Sequence, residues 1–84
     1  MYYVYILKSK VKPITYTGYT TNIERRLKAH NSGSVKATKS YRPYELLQLE
    51  KFLSDKEAKI QELYYKSTSG RRKIKKRLRL AKKI

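Results

Sequence analysis

Residues 3–20 read YVYILKSKVKPITYTGYT. Aromatic and β-branched residues dominate both sides of Lys12-Pro13, a pattern that predicts two strands, residues 2–9 and 14–20, joined as a β-hairpin. Tyr3, Tyr5 and Tyr16 then stand near Thr17-Gly18 across the two strands. Aromatic residues favour strands and pack well on a pleated surface, which would account for them without further meaning. A phenol facing a phosphate has a second use, because a positioned hydroxyl can do acid and base work.

Outward from the hairpin, local signals divide the rest of the chain. Thr21 and Glu24 are spaced as a capping box and Gly33 supplies a stop, so a helix is expected over residues 22–31. Residues 32–43, SGSVKATKSYRP, are small, polar and basic, and they predict an exposed loop. YELLQLEKF, residues 44–52, mixes alternation with an apolar pair and reads as a third strand. Ser54 and Glu57 form a second capping box, opening a helix that runs to Lys66. Ser67-Thr68-Ser69-Gly70 breaks it. The last stretch, RRKIKKRLRLAKKI, carries nine Lys or Arg residues around the stripe Ile74, Leu78 and Ala81. No internal repeat is evident, so the chain reads as one α/β (α+β) domain over residues 1–84, with a core over 1–66 and a basic helix over 71–84.

Charge narrows the partner. Lys and Arg total 22 against 6 acidic residues, a formal net charge of +16. Small domains carry about 2 to 8 charges in magnitude, so this much self-repulsion points to a polyanionic partner. Counterion release from phosphates favours nucleic acid, with an anionic membrane surface as the competing target. The absence of cysteine excludes disulfides, thiol nucleophiles and cysteine-based zinc sites, and the single histidine, His30, cannot build a zinc site alone. An oxygen-bound ion such as Mg²⁺ remains compatible. The apolar run at the N-terminus turns charged at Lys8, too early for a signal peptide or a span, which predicts a soluble cytoplasmic protein.

Two helical faces carry candidate chemistry. Arg26 and His30 are four apart and border the stripe Ile23 and Leu27, so they are expected at the rim where that stripe meets the sheet. Arg25 and Lys28 point away. A rim histidine without a task is the plain alternative for His30. In the second helix Ala58, Glu62 and Tyr65 share one face while Ile60, Leu63 and Tyr64 occupy the other. A helix apolar on two sides is expected to be sandwiched between the sheet and the C-terminal helix, with Glu62 facing inward. A carboxylate there is costly unless it pairs with a cation or holds a metal.

Taken in order, Tyr3-Val4-Tyr5, Tyr16-Thr17-Gly18, Glu24-Arg25-Arg26-Leu27 with His30, and Glu62 resemble the GIY-YIG nuclease superfamily, specifically its small single-domain bacterial branch. The resemblance extends to about Lys66. It implies a three-stranded antiparallel sheet flanked by helices. It also implies catalytic roles for Tyr5, Tyr16, Arg26 and His30, a metal-binding role for Glu62, and close approach of substrate to Gly18 at the end of the second strand. Tyr3 and Thr17 replace the glycine and isoleucine of the family's name, and STSGRRKIKKRL departs from the segment that follows the glutamate helix in relatives.

The expected function is a metal-dependent nuclease using Mg²⁺, or another divalent cation such as Mn²⁺, to cut DNA according to structure more than sequence. Arg25, Lys28, Lys36, Lys39 and Arg42 are the expected backbone contacts, with no membrane and no obligate protein partner. Either Tyr5 or Tyr16 would serve as base. Supplying a phenolate at pH 7 costs about 4 kcal/mol unless metal, arginine and the positive field lower its pKa. His30 would relay or orient the proton, or bind phosphate. The alternative is a basic nucleic-acid-binding module that keeps the fold without turnover.

Overall fold

A computed structural model describes residues 1–82, with side chains described to Leu80. Lys83 and Ile84, the end of the expected basic helix, lie outside the described residues. The order is β1 (Tyr2–Ser9), β2 (Thr15–Thr20), α1 (Ile23–Ser32), a single 3-10 turn (Lys39–Tyr41), β3 (Tyr44–Phe52), α2 (Asp55–Lys66) and α3 (Thr68–Lys82). The three strands form an antiparallel sheet in the order β2-β1-β3, the α+β arrangement expected.

Because β1 is central and alternates, it feeds two cores. Val4 and Ile6 join Ala58, Tyr65 and Ile74 under α2 and α3, while Tyr5 and Leu7 join Tyr44, Ile23 and Leu27 under α1. The apolar pair in β3 is resolved by a bulge: Ile6 faces Gln48 and Leu7 faces Leu46, leaving Leu47 as the extra residue. Leu47 and Gln48, consecutive in sequence, consequently serve one face. Leu47 packs on the Val4 core and Gln48 donates to the Tyr65 hydroxyl at 2.8 Å.

Local capping behaves largely as the sequence implies. Ser54 caps α2 by accepting from the Glu57 amide, and Gly33 ends α1 at φ 84°, a conformation open to glycine. The start of α1 shifts by one residue. Asn22, not Thr21, is its N-cap, since the Asn22 side chain accepts from the Arg25 amide at 3.1 Å while the Thr20 hydroxyl holds the Asn22 amide at 3.1 Å. Helix α3 starts at Thr68, three residues before the expected Arg71, because Ser67 ends α2 and its hydroxyl accepts from the Gly70 amide at 3.2 Å. A Cβ on Gly70 would stand 2.0 Å from the Tyr64 carbonyl, so glycine allows α3 to fold back tightly on α2.

Helix α2 touches both the sheet and α3, as expected, but its second apolar side is not covered. Ala58 and Tyr65 are buried, but Ile60, Leu63 and Tyr64 are exposed, because α3 packs beside α2 against the same sheet face and does not cover it. The loop after α1 is likewise not wholly exposed. Thr38 is buried and carries the side chain that fixes His30.

Candidate active site

Under α1 the sheet holds polar groups in place of a purely apolar core. Tyr5 projects from central β1 beneath α1, and its cross-strand partner is Gly18. A Cβ at Gly18 would lie 2.3 Å from the Tyr5 hydroxyl oxygen, so this glycine makes room for the phenol. Tyr5 by itself accounts for a glycine here, and β2 continues beyond it to Thr20.

His30, expected at the rim, is fully buried. Its position follows from α1: the helix seats Ile23 and Leu27 on the sheet, and one further turn drives the imidazole between Tyr5, Tyr16 and Tyr44. Nδ1 lies 2.7 Å from Thr38 Oγ1 and Nε2 lies 2.9 Å from the Tyr5 hydroxyl. The Thr38 hydroxyl hydrogen is directed to the Val35 carbonyl at 3.4 Å, so its oxygen accepts from Nδ1–H. Nε2 is then the acceptor, and Tyr5 donates to it. Burial, reinforced by the nearby Arg26 charge, holds the imidazole below its ordinary pKa and favours the neutral form this network requires.

Arg26, one turn earlier and half-buried, donates from Nε to the Tyr5 oxygen at 3.3 Å. The phenol therefore has its donor used by His30 and an acceptor position used by Arg26. Burial raises the Tyr5 pKa, and Arg26 opposes that shift without overcoming it. Arg26 thus acts in the direction expected of it, toward the phenolate, while burial acts more strongly the other way. Hydrogen bonding to Tyr5 in turn raises the Arg26 pKa, with the Tyr16 phenol adding to the effect.

Tyr16 comes from edge strand β2, half-buried, with its ring 5.0 Å from that of His30 and 6.5 Å from that of Tyr5. It is the cluster's phenol with access to solvent, since Tyr5 is 1% exposed. A cleft of about 410 Å³ opens beside the cluster at the start of α1, lined by Thr20, Thr21, Asn22, Arg25, Arg26 and Ala29.

Glu62 stands apart from this hydrogen-bonded group. Its side chain is 22% exposed and pairs with Lys66 at 3.1 Å, yet its charge contributes to raising the pKa of Tyr5. Among the described residues no three His, Asp or Glu side chains gather into a metal cage. Tyr19 and Tyr2 belong elsewhere, stacked at 6.2 Å on the α2 face, where the Asp55 carboxylate accepts from Tyr19 and pushes its pKa up to about 12.

The cations expected to touch substrate are dispersed. Arg25 and Lys28 are exposed on α1, and Lys36 and Lys39 are exposed on the following loop. Arg42 is committed in part to structure, donating to the Ser32 carbonyl at 3.3 Å over Gly33. Two residues escaped sequence reasoning. Thr38 sits in a stretch whose composition reads as exposed loop. Asn31 pairs its amide with both backbone groups of Tyr44, accepting at 2.7 Å and donating at 3.1 Å, and so ties the end of α1 to the start of β3.

Fold and cluster together define a small α+β domain that holds tyrosines, a histidine and an arginine against one sheet face. The chain belongs to the GIY-YIG family, whose catalytic-domain profile matches residues 1–77. It is 43% identical over 75 residues to a UPF0213 protein of Clostridium perfringens, covering 88% of this chain and 80% of that one. A UPF0213 protein of Staphylococcus haemolyticus is 45% identical over 75 residues, covering 88% and 90%. The solution NMR structure of a UPF0213 protein from Bacillus halodurans is similar at a TM-score of 0.54 and 38% identity, covering 88% of this chain and 82% of that one. The family is a nuclease superfamily, and no described helix is long and apolar enough to cross a membrane.

Proposed function

We propose that this protein hydrolyses phosphodiester bonds in DNA with the help of a divalent cation, selecting substrates by structure more than by base sequence. The observation that carries this reading is the convergence of Thr38, His30, Tyr5, Arg26 and Tyr16 on one sheet face, with each ring nitrogen of the buried histidine partnered. The net charge of +16 supplies long-range attraction for the polyanion.

In this reading Tyr16 faces the attacking water as base, because it is open to solvent while Tyr5 is enclosed. Tyr5 acts as a positioning residue: it holds the Arg26 guanidinium, which lines the cleft at the start of α1 and would take a phosphate oxygen there. His30 and Thr38 hold the Tyr5 hydroxyl in one orientation. Glu62 would hold the cation, which supplies charge stabilisation on the phosphoryl oxygens and a more acidic water. For Glu62 to serve, its bond to Lys66 must open or be shared with the ion's water shell. That competition favours, as the second reading, a binding module with the same fold and no turnover.

Cleavage of duplex, branched and single-stranded DNA with and without Mg²⁺ separates the two. Glu62→Gln should abolish cutting while DNA binding stays equal or tightens slightly. Tyr16→Phe should slow cutting by about 10²- to 10⁴-fold, the range for a lost general base. DNA binding without metal-dependent cutting of any substrate, together with an unchanged melting temperature in Mg²⁺ for Glu62→Gln, would leave the binding module standing.

A further inference from the structure

Helix α3 lies near the outer strand β2, and two depressions run between them. One, of about 220 Å³, is lined by Thr15, Tyr16, Thr17, Tyr65, Lys66, Arg71 and Ile74. The second, of about 290 Å³, is lined by Thr15, Arg71, Ile74 and Lys75. Sharing Thr15, Arg71 and Ile74, they form one trough between β2 and α3. Tyr16 lines the first depression and is the residue the trough shares with the site. The outer edge of β2 pairs with no strand among the described residues, which leaves that side of the trough open.

The helix is built to charge this trough. Ile74 is buried in the core, which fixes the rotation of α3. At 100° per residue, Arg71 and Lys75 then fall on one flank of Ile74, four apart and stacked about 6 Å along the axis. Lys73 and Arg77 fall on the opposite flank and line neither depression. No acidic residue occurs in α3, so neither Arg71 nor Lys75 has an intrahelical anion to neutralise it. Lys66 also lines the trough but is held by Glu62.

We propose that the trough between β2 and α3 is the track of the DNA strand that passes through the Tyr16–Arg26 site, with Arg71 and Lys75 holding its phosphates. This rests on the reading of the protein as a DNA-cutting enzyme and extends it, since it makes α3 part of the substrate path. The contacts are to backbone and carry no base information. They position the strand across Tyr16.

The test compares two double variants of equal charge, Arg71→Gln with Lys75→Gln and Lys73→Gln with Arg77→Gln. Gln matches Arg and Lys in helix propensity, so α3 should persist in both, as circular dichroism would verify. Binding to a fluorescent DNA duplex is measured by anisotropy across a salt series without divalent metal, so the result does not depend on cleavage. The trough pair should weaken binding by about ten-fold or more and reduce the salt slope by about 2. The opposite pair should change both by less than half as much. Equal losses in the two variants would overturn the trough while leaving DNA as the partner. No binding by the unmodified protein at low salt would overturn both readings, and trough-dependent binding without metal-dependent cutting would overturn only the nuclease.

Discussion

The two faces of the sheet are built from alternate residues of one strand, yet they are held together differently. Under α2 and α3, Val4 and Ile6 meet Ala58, Tyr65 and Ile74, and apolar volume fills the layer, with polar bonding confined to the Tyr65 hydroxyl and its partners Gln48 and Glu50. Under α1, Leu7, Ile23 and Leu27 also pack, but the buried Tyr5 and His30 are held by hydrogen bonds to each other, to Arg26 and to Thr38. No buried side-chain nitrogen or oxygen among the described residues lacks a partner. An apolar core tolerates small rearrangement, whereas a buried polar cluster loses the full desolvation cost of any group left unpaired. The α1 face, which encloses an imidazole and a phenol together, is therefore the more sensitive to the loss of a single atom.

Four substitutions or conditions would break or sharpen that contrast. Ile6→Ala, at a fully buried site on the apolar face, should cost about 2–5 kcal/mol in urea unfolding, a large part of the about 5–15 kcal/mol available to a domain. A smaller loss would mean that α3 collapses into the space. Gly18→Ala should cost about 1–3 kcal/mol by overpacking, since the new methyl would displace the Tyr5 hydroxyl, 2.3 Å from that position. It should also abolish cutting; a variant that keeps full activity would show that Tyr5 does not need its present position.

Tyr5→Phe keeps the ring and removes one hydroxyl, leaving His30 Nε2 without its donor. A cost of about 1–3 kcal/mol is expected, together with an altered imidazole signal in NMR titration that a mere packing role would not produce. The mildest effect is in pH. Because His30 is held below its ordinary pKa in the folded state, the unfolded chain binds the proton more readily. Stability should be full above the unfolded value of about 6.5 and decline as pH falls through that window. Asp55, with its pKa lowered chiefly by the Tyr19 hydroxyl, contributes only at more acidic pH. A urea midpoint unchanged between about pH 7.5 and about pH 5.5 would show that His30 is not enclosed as described.

How far the sequence reaches can be judged from particular residues. The hairpin, the third strand over residues 44–52 and the ends of α2 follow from alternation, Ser54 and the break at Ser67, all signals that act within a few positions. Asn22 displaced Thr21 as cap because two good capping residues were adjacent and a Thr20 hydrogen bond decided between them. The bulge at Leu47 was invisible, since an apolar pair in a strand has the same composition whether or not the ladder skips a residue.

By itself, then, the sequence determined the order of elements, the sharing of Tyr5, Tyr16, Arg26 and His30 among the hairpin and first helix, and the charge that calls for a polyanion. Each is local or additive. Tertiary structure alone decided that His30 is enclosed with Thr38 behind it, that Gly18 serves the Tyr5 phenol, that Tyr16 and not Tyr5 meets solvent, and that Arg71 lines a trough reaching Tyr16. These depend on distances between residues far apart in the chain, and on burial. Burial raises or lowers a pKa through the loss of surrounding water, which no spacing of letters encodes.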